Sequence, residues 1–270
     1  MVLEGARSQG IEMAVIAIKE EASAELEKTA TRLHWVSLGE LSKTIDLLHK
    51  EGVTQAVMAG QVKHSKIFSA IRPDWKLAKL LFSLPRKNTD ALIGGVAKVL
   101  QDEGIQLVDS TLFLKPLLPE LGVLTRRAPN ERESADIAYG HSVARQIAGM
   151  DIGQTVVISD QACVAVEAME GTDETIARAA RIVEGKPLVV VKVSKPKQDM
   201  RFDVPVVGLP TIEQMKSSRA TALAVDAGRT LLFDRQKLIE LADAAGIAIQ
   251  AFAVPASAEP NRAAGGMNVK

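Results

Sequence analysis

Short continuous runs of apolar residues alternate along this chain with stretches in which apolar positions recur three or four residues apart. The runs Met13 to Ile18, Ala56 to Ala59, Ile105 to Val108, Gln154 to Ser159, Ala162 to Met169, Leu188 to Val193, Ala222 to Val225, Thr230 to Phe233 and Ile247 to Val254 predict strands. Between them, helical spacing predicts helices over Gly39 to Gly52, Trp75 to Leu84, Thr89 to Asp102, Ser134 to Met150 and Asp234 to Gly246. Residues 1 to 10 read as the end of a helix closed by Gly10. Two further helices carry start signals: Thr172 as an N-cap ahead of Asp173 and Glu174, and Thr211-Ile212-Glu213-Gln214 as a capping box. Asp234 is the expected cap of the last helix.

Strands separated by helices predict an α/β fold with a parallel sheet. The texture changes near Leu121, where a charged loop precedes a helix. This divides the chain into an N-terminal Rossmann-like parallel-sheet domain over residues 1–121 and a C-terminal mixed α/β domain over 122–254. Residues 255–270, rich in Ala, Pro, Gly and Asn without periodicity, are expected to be a disordered tail.

Ligands on such sheets bind beyond the carboxyl ends of the strands. That directs attention to Gly60-Gln61-Val62-Lys63-His64, to Asp109-Ser110 and, above all, to the stretch from Lys192 to Thr211. There a buried run empties into a Pro-punctuated loop with four cations, Lys192, Lys195, Lys197 and Arg201, and two carboxylates, Asp199 and Asp203. By itself this stretch fits a solvated connection whose charges cancel. Arg126 and Arg127 form a second basic spot, a surface pair unless a cleft adjoins them, in which case their forked donors suit phosphate.

Charge and composition narrow the chemistry. Lys plus Arg equals Asp plus Glu at 33 each, so no global field draws in nucleic acid, and 3% aromatic content is too low for a base-stacking platform. Cys163, the single cysteine, fits a small core residue and excludes a disulfide within the chain. No apolar segment approaches the ~20 residues that cross a bilayer. The start of the chain lacks a signal-peptide plan, so a cytoplasmic protein is expected. His34, His49, His64 and His141 have no zinc-site spacing, and there is neither a Gly-x-x-x-x-Gly-Lys-Ser/Thr loop nor a Gly-x-Ser-x-Gly elbow. A nicotinamide enzyme is disfavoured by the missing Gly-x-Gly-x-x-Gly.

What the second half does offer is carboxylates at loop positions beside cations: Glu167, Glu170, Asp173, Asp199, Asp203 and Asp226. Hard oxygen ligands of this kind suit Mg²⁺, held by one or two carboxylates plus substrate phosphates, and so suit metal-assisted phosphoryl hydrolysis. An exposed N-terminus of the helix at Thr172 would present free N–H groups to an anion.

Several segments, in order, resemble the LpxI-type UDP-2,3-diacylglucosamine pyrophosphatase family. They are Trp35-Val-Ser-Leu-Gly39, Gly52-Val-Thr-Gln-Ala-Val-Met-Ala-Gly60, Gly122-Val-Leu-Thr-Arg-Arg-Ala-Pro129, Ala135-Asp-Ile-Ala-Tyr-Gly140, Asp151-Ile-Gly-Gln154, Val166-Glu-Ala-Met-Glu-Gly-Thr-Asp173, the stretch from Lys192 to Thr211, and Asp226-Ala-Gly-Arg-Thr230. The resemblance implies two domains and hydrolysis of the pyrophosphate of UDP-2,3-diacylglucosamine to UMP and 2,3-diacylglucosamine 1-phosphate (lipid X) in lipid A synthesis. It implies a divalent cation, Mg²⁺ or another such as Mn²⁺, and a catalytic aspartate. The Gln-Asp-x-Arg-x-Asp-x-Pro pattern carries that aspartate onto Asp203, with Asp199 in reserve and Asp226 third, the first two also as metal ligands. Lys195 joins the catalytic set. Substrate binding is expected at Thr125, Arg126, Arg127, Glu170, Gly171, Thr172, Asp173, Lys192, Gln198 and Arg201. A UDP-linked diacylated lipid as partner implies peripheral contact with the inner membrane, and a homo-oligomer is allowed. The family's usual first strand and Gly-rich turn are not found, so the chain is expected to start inside the first helix of that pattern. The competing class is a non-catalytic nucleotide-sugar or lipid-binding protein.

Overall fold

The computed structural model describes residues 1–60, 72–84 and 89–254. The expectations for Gln61 to His64 and for the tail from Pro255 lie outside the described residues. The chain forms two compact units: Met1–Lys115 together with Met200–Asp203, and Pro116–Asp199 together with Val204 onward. Both are α/β.

The first unit contains α1 (Val2–Ser8), β1 (Ala14–Ile18), α2 (Leu26–Thr29), β2 (Arg32–Val36), α3 (Leu41–Lys50), β3 (Gln55–Ala56), α4 (Trp75–Ser83), α5 (Thr89–Asp102) and β4 (Gln106–Leu107). Strand β1 pairs in parallel with β2, and β3 with β4. The β2 strand escapes the sequence pattern because Arg32 and His34 alternate with Leu33 and Trp35. Both polar side chains pair with Glu51, His34 Nε2 lying 2.6 Å from Oε1 and Arg32 Nη1 3.2 Å from Oε2. Helix α3 buries Leu41, Ile45 and Leu48, the i, i+4, i+7 stripe of an amphipathic helix, against Leu77 and Leu80 of α4 and Leu92, Ala97 and Leu100 of α5. Phe202 packs against this same core, and Ser110 donates its N–H to the Met200 carbonyl at 2.9 Å. Those contacts hold Met200–Asp203 in the first unit.

The second unit contains β5 (Gly122–Val123), α6 (Glu131–Gly149), β6 (Thr155–Ser159), β7 (Ala162–Val166), α7 (Thr172–Val183), β8 (Leu188–Lys192), β9 (Val206–Val207), α8 (Leu209–Ser217), β10 (Ala220–Asp226), β11 (Leu231–Leu232), α9 (Arg235–Ala244) and β12 (Ala248–Phe252). Six strands form one sheet in the order β5-β12-β10-β8-β6-β7. Its centre, β8, β10 and β12, is parallel, and β5, β6 and β7 join antiparallel. The sheet is therefore mixed, as buried central strands flanked by a hairpin require. Both faces are covered. Val189 and Val191 of β8, with Val193 beyond it, pack with Ile137, Ala144 and Ala148 of α6, whereas Leu188 and Val190 pack with Ile176, Ile212 and Leu238 of α7, α8 and α9. Gly140 lets α6 approach the sheet, since a Cβ there would come within 2.6 Å of Val191 Cγ2.

Three helix starts differ from the expectations, each for a local reason. Helix α6 begins at Glu131 rather than near Ser134, because Asn130 and Glu133 form a reciprocal capping box. Helix α7 has Gly171, not Thr172, at its N-cap. Helix α8 starts at Leu209 with Pro210 in its first turn, where a fixed φ is already helical, so Thr211 lies inside the helix and caps nothing. Asp234 does sit at the N-cap of α9, but in a left-handed conformation and without a side-chain capping bond.

Candidate functional site

Residues 188, 190 and 192 of β8 share one face of the sheet, the face covered by α7. Leu188 and Val190 fill the core there, but Lys192, the last residue of the strand, puts a cation in the same layer and is only 8% exposed. Its ammonium donates to Thr172 Oγ1 at 2.6 Å. Thr172 Oγ1 in turn donates to Glu167 Oε1 at 2.9 Å and lies 3.3 Å from Thr155 Oγ1. Thr155 stands opposite Lys192 in the β6–β8 register, which fixes the cluster on the sheet. Gly153 contributes by its lack of a side chain, since a Cβ would lie 1.9 Å from the Glu167 carbonyl oxygen. Thr172, expected as a cap, instead uses its hydroxyl as the relay between Lys192 and Glu167.

Among the described residues Lys192 makes no ion pair, so one of its three donors is used and no described carboxylate compensates its charge in direct contact. The N-terminus of α7 begins at the same place, with Gly171 at φ 89° and no side-chain cap on its first-turn N–H groups. Its flanking acids are committed elsewhere. Glu170 accepts from Arg178 Nη2 at 2.6 Å and from the Ala168 N–H at 2.9 Å. Its own backbone N–H, then Arg178 and Ala168, pull its pKa down to about 2. Asp173 accepts from Thr211 Oγ1 at 2.7 Å, joining the start of α8 to the start of α7.

The chain leaves β8 through Ser194, which is anchored. Asp226, fully buried at the end of the neighbouring strand β10, accepts from the Ser194 N–H and from Ser194 Oγ, both at 2.6 Å. Arg145 of α6 closes on the same carboxylate as a fork, Nη1 reaching Oδ2 at 2.9 Å, and also donates to the Ser194 carbonyl at 3.3 Å. Asp226, third among the aspartates singled out from sequence, is thus committed to holding the loop in place. Four residues before Arg145 on the same helix, His141 buries an unpartnered Nε2 and packs edge-on to Phe252, ring centroids 4.8 Å apart. Burial, and after it the Arg145 charge, hold the imidazole pKa below its ordinary value.

Beyond Ser194, Lys195 Nζ pairs with Asp151 Oδ1 at 2.8 Å, and the Lys195 N–H donates to Gln198 Oε1 at 2.7 Å in a turn closed by Gln198 N–H to the Lys195 carbonyl. Asp199 belongs with these residues in the second unit, whereas Arg201 and Asp203 belong to the first. The Arg201 guanidinium lies 5.7 Å from the Phe202 ring centroid, and its carbonyl accepts from Ser110 Oγ. Asp203 is half-buried.

The basic spot at Arg126 and Arg127 lies in the second unit on the loop after β5. Thr125 Oγ1 donates to the Arg127 carbonyl at 3.0 Å and accepts from the Ile249 N–H at 2.8 Å, pinning the loop to the sheet. Arg127 forks onto Glu133, both contacts 2.8 Å, and donates to the carbonyls of Gly246, Thr221 and Ala128. Burial alone would raise the Glu133 pKa, but the Arg127 guanidinium and the Asn130 N–H outweigh it and keep the carboxylate ionised. Arg126 is 89% exposed, with its N–H on Asp243 Oδ1 at 2.7 Å.

Of the residues singled out from sequence, the structure brings Gly171, Thr172, Asp173 and Lys192 together, with Glu170 alongside, and gathers Lys195 with Gln198. The Thr125 to Arg127 loop is built into a separate part of the sheet. Glu167, singled out as a loop carboxylate, joins the Lys192 group through Thr172, whereas Thr155, Ser194 and Arg145 carry no signal in the sequence; nothing in a helical stretch marks Arg145 as the partner of a residue 81 positions away.

Comparison with known proteins bears on this arrangement. Residues 1–117 match the LpxI N-terminal domain family and residues 120–250 the LpxI C-terminal domain family. The chain belongs to the LpxI family. A relative in Caulobacter vibrioides, the UDP-2,3-diacylglucosamine pyrophosphatase LpxI, is 33% identical over 222 residues, 78% of this chain and 79% of its own length. Within this LpxI chain, the C-terminal family match contains the whole Lys192–Thr172–Glu167 cluster and the Arg145–Asp226–Ser194 anchor.

Proposed function

We propose that this chain is a hydrolase that cleaves the pyrophosphate of UDP-2,3-diacylglucosamine to UMP and 2,3-diacylglucosamine 1-phosphate. The observation that carries the reading is Lys192, a buried ammonium with unspent donors beside an uncapped helix N-terminus, in a chain of a family whose Caulobacter relative is named for this activity. A cation buried without a carboxylate partner is costly, and an anionic ligand repays that cost. A phosphate oxygen supplies the missing charge and meets the free N–H groups of α7 at the same point.

In this reading a water oxygen forms a bond to one phosphorus as the bridging P–O bond breaks and the leaving oxygen stays on the other phosphate. Lys192 and the α7 N-terminus bind the phosphate oxygens. Arg145 and Asp226 position the loop from Ser194, while Lys195, Gln198 and Arg201 add donors. Asp203 is assigned the catalytic role, with Asp199 in support. Among the described residues no three His, Cys, Asp or Glu side chains converge on a metal site. Two loop carboxylates together with substrate phosphates nonetheless fit what Mg²⁺ or Mn²⁺ requires. Asp203 and Asp199 would hold it, and the bound ion would neutralise charge on the pyrophosphate.

No helix among the described residues is long and apolar enough to cross a membrane. The diacylated substrate itself favours peripheral contact with the inner membrane from the cytoplasm. The test is release of UMP from UDP-2,3-diacylglucosamine by the full chain with Mg²⁺. Turnover by the wild type, and loss of at least ~100-fold in Asp203→Ala, about 2.7 kcal/mol of transition-state stabilisation, is expected. Binding with the substrate recovered unchanged would make the protein a carrier, and an unaltered Asp203→Ala enzyme would remove Asp203 from the chemistry.

A further inference from the structure

Helix α4 of the first unit presents a face that the unit does not use. Leu77 and Leu80 turn inward to the core. On the other side, Trp75 is 80% and Phe82 93% exposed, and Lys79 between them is exposed as well. At ~100° per residue these three fall within an arc of about 60°, and Leu77 and Leu80 lie across the helix from it. The chain has two Trp, six Phe and one Tyr, so two of its few large aromatics stand on one solvent-facing stripe. Large exposed apolar side chains gathered on one stripe mark an interaction surface.

The charges on this stripe choose the partner. Asp74, the carboxylate at the head of the helix, is turned inward, Oδ1 accepting from the Leu77 N–H at 3.0 Å and Oδ2 from the Ser42 N–H at 2.6 Å. Lys76 is paired with Glu103 off the stripe. Lys79 on the stripe and Arg72 just before the helix, both exposed, have no carboxylate partner among the described residues. Among the described residues the face is therefore aromatic and cationic, with no acid on it. A second copy of the chain docked about a two-fold axis through this stripe would set Lys79 against Lys79, which opposes that arrangement. An anionic bilayer surface satisfies every member: Trp75 and Phe82 enter the headgroup boundary, and the cations meet lipid phosphates.

We propose that the Trp75–Lys79–Phe82 stripe of α4 is a docking surface for an anionic lipid bilayer. At nine residues the helix lies on the membrane and does not span it. The inference deepens the hydrolase reading, since a diacylated substrate resides in such a surface, but its test does not depend on turnover.

The experiment is flotation of the full chain with vesicles of phosphatidylethanolamine and phosphatidylglycerol, against vesicles of phosphatidylcholine alone. The wild type is expected to float with the anionic vesicles, Trp75→Ser/Phe82→Ser to lose at least ~10-fold in partitioning, and Lys79→Glu to weaken it selectively on the anionic vesicles. Far-UV circular dichroism of the variants should match the wild type, as all three positions are exposed. No flotation of the wild type, or equal flotation of the double variant, overturns the proposal. So does sedimentation showing a dimer that the double variant dissociates without any vesicle binding. If UMP release fails while flotation behaves as stated, the hydrolase reading falls and the docking surface stands.

Discussion

Arg127, in the loop after β5, and Lys192, the last residue of the central strand β8, are both cations of the second unit, and the fold treats them in opposite ways. Arg127 is spent: its fork holds a buried carboxylate and its remaining donors go to main-chain carbonyls. Lys192 is buried, though less completely than the aliphatic residues on either side of it, and its ammonium bonds to a single hydroxyl. A guanidinium whose donors are all spent within the fold fits a scaffold role, whereas a buried ammonium with donors to spare fits the proposed anionic ligand. Charge alone does not separate the two cases. Accounting for every donor does.

That contrast orders what substitutions do to stability. Arg127→Ala strands the Glu133 carboxylate in the interior and should cost ~3 kcal/mol in urea unfolding, the lower end for a broken buried pair because Arg127 retains some solvent contact. If its unfolding midpoint equals that of the wild type, Arg127 is not scaffold and the comparison fails.

His141, whose unpartnered ring nitrogen is kept neutral by burial and by Arg145, gives a smaller and pH-dependent effect. Its folded pKa is depressed, so below about 6.5 the unfolded chain binds a proton that the fold excludes. The stability contributed by neutral His141 is complete above that pH. It falls as pH drops, by up to ~1.4 kcal/mol per unit. His141→Asn should flatten thermal stability between pH 6.5 and 5, as far as ~1.4 kcal/mol per unit allows. Glu133 and Glu170, whose pKa values are also lowered, contribute their own acid loss only below ~4.3, in a separate window.

How far these features could be read from the chain follows the same division between local and distant partners. The run Leu188 to Val193 announces a buried strand because continuous aliphatics have no other stable place, and the family match follows the ordered segments quoted from the sequence. The starts of α7 and α8 differ from expectation because Thr172 and Thr211, good caps by type, give their hydroxyls elsewhere, Thr172 to Glu167 in the preceding loop and Thr211 to Asp173 at the start of α7. Capping preference is overridden by other side-chain bonds, one local and one between helices, that no spacing encodes. Strand β2 was hidden for the opposite reason, its charged positions having partners on Glu51 that let Arg32 and His34 occupy a strand. The Arg145–Asp226–Ser194 anchor joins three elements and was invisible until they were folded together.

The most direct test of the contrast is Lys192→Met, which keeps the length of the side chain and removes its charge. Urea unfolding and UMP release are measured on the same preparation. If Lys192 is held for a ligand, the unfolding free energy stays within ~1 kcal/mol of the wild type or rises, because a buried unpaired charge is gone. At the same time kcat/KM falls at least ~100-fold. A variant that loses several kcal/mol of stability while its folded fraction turns over normally would show that Lys192 is scaffold after all, like Arg127.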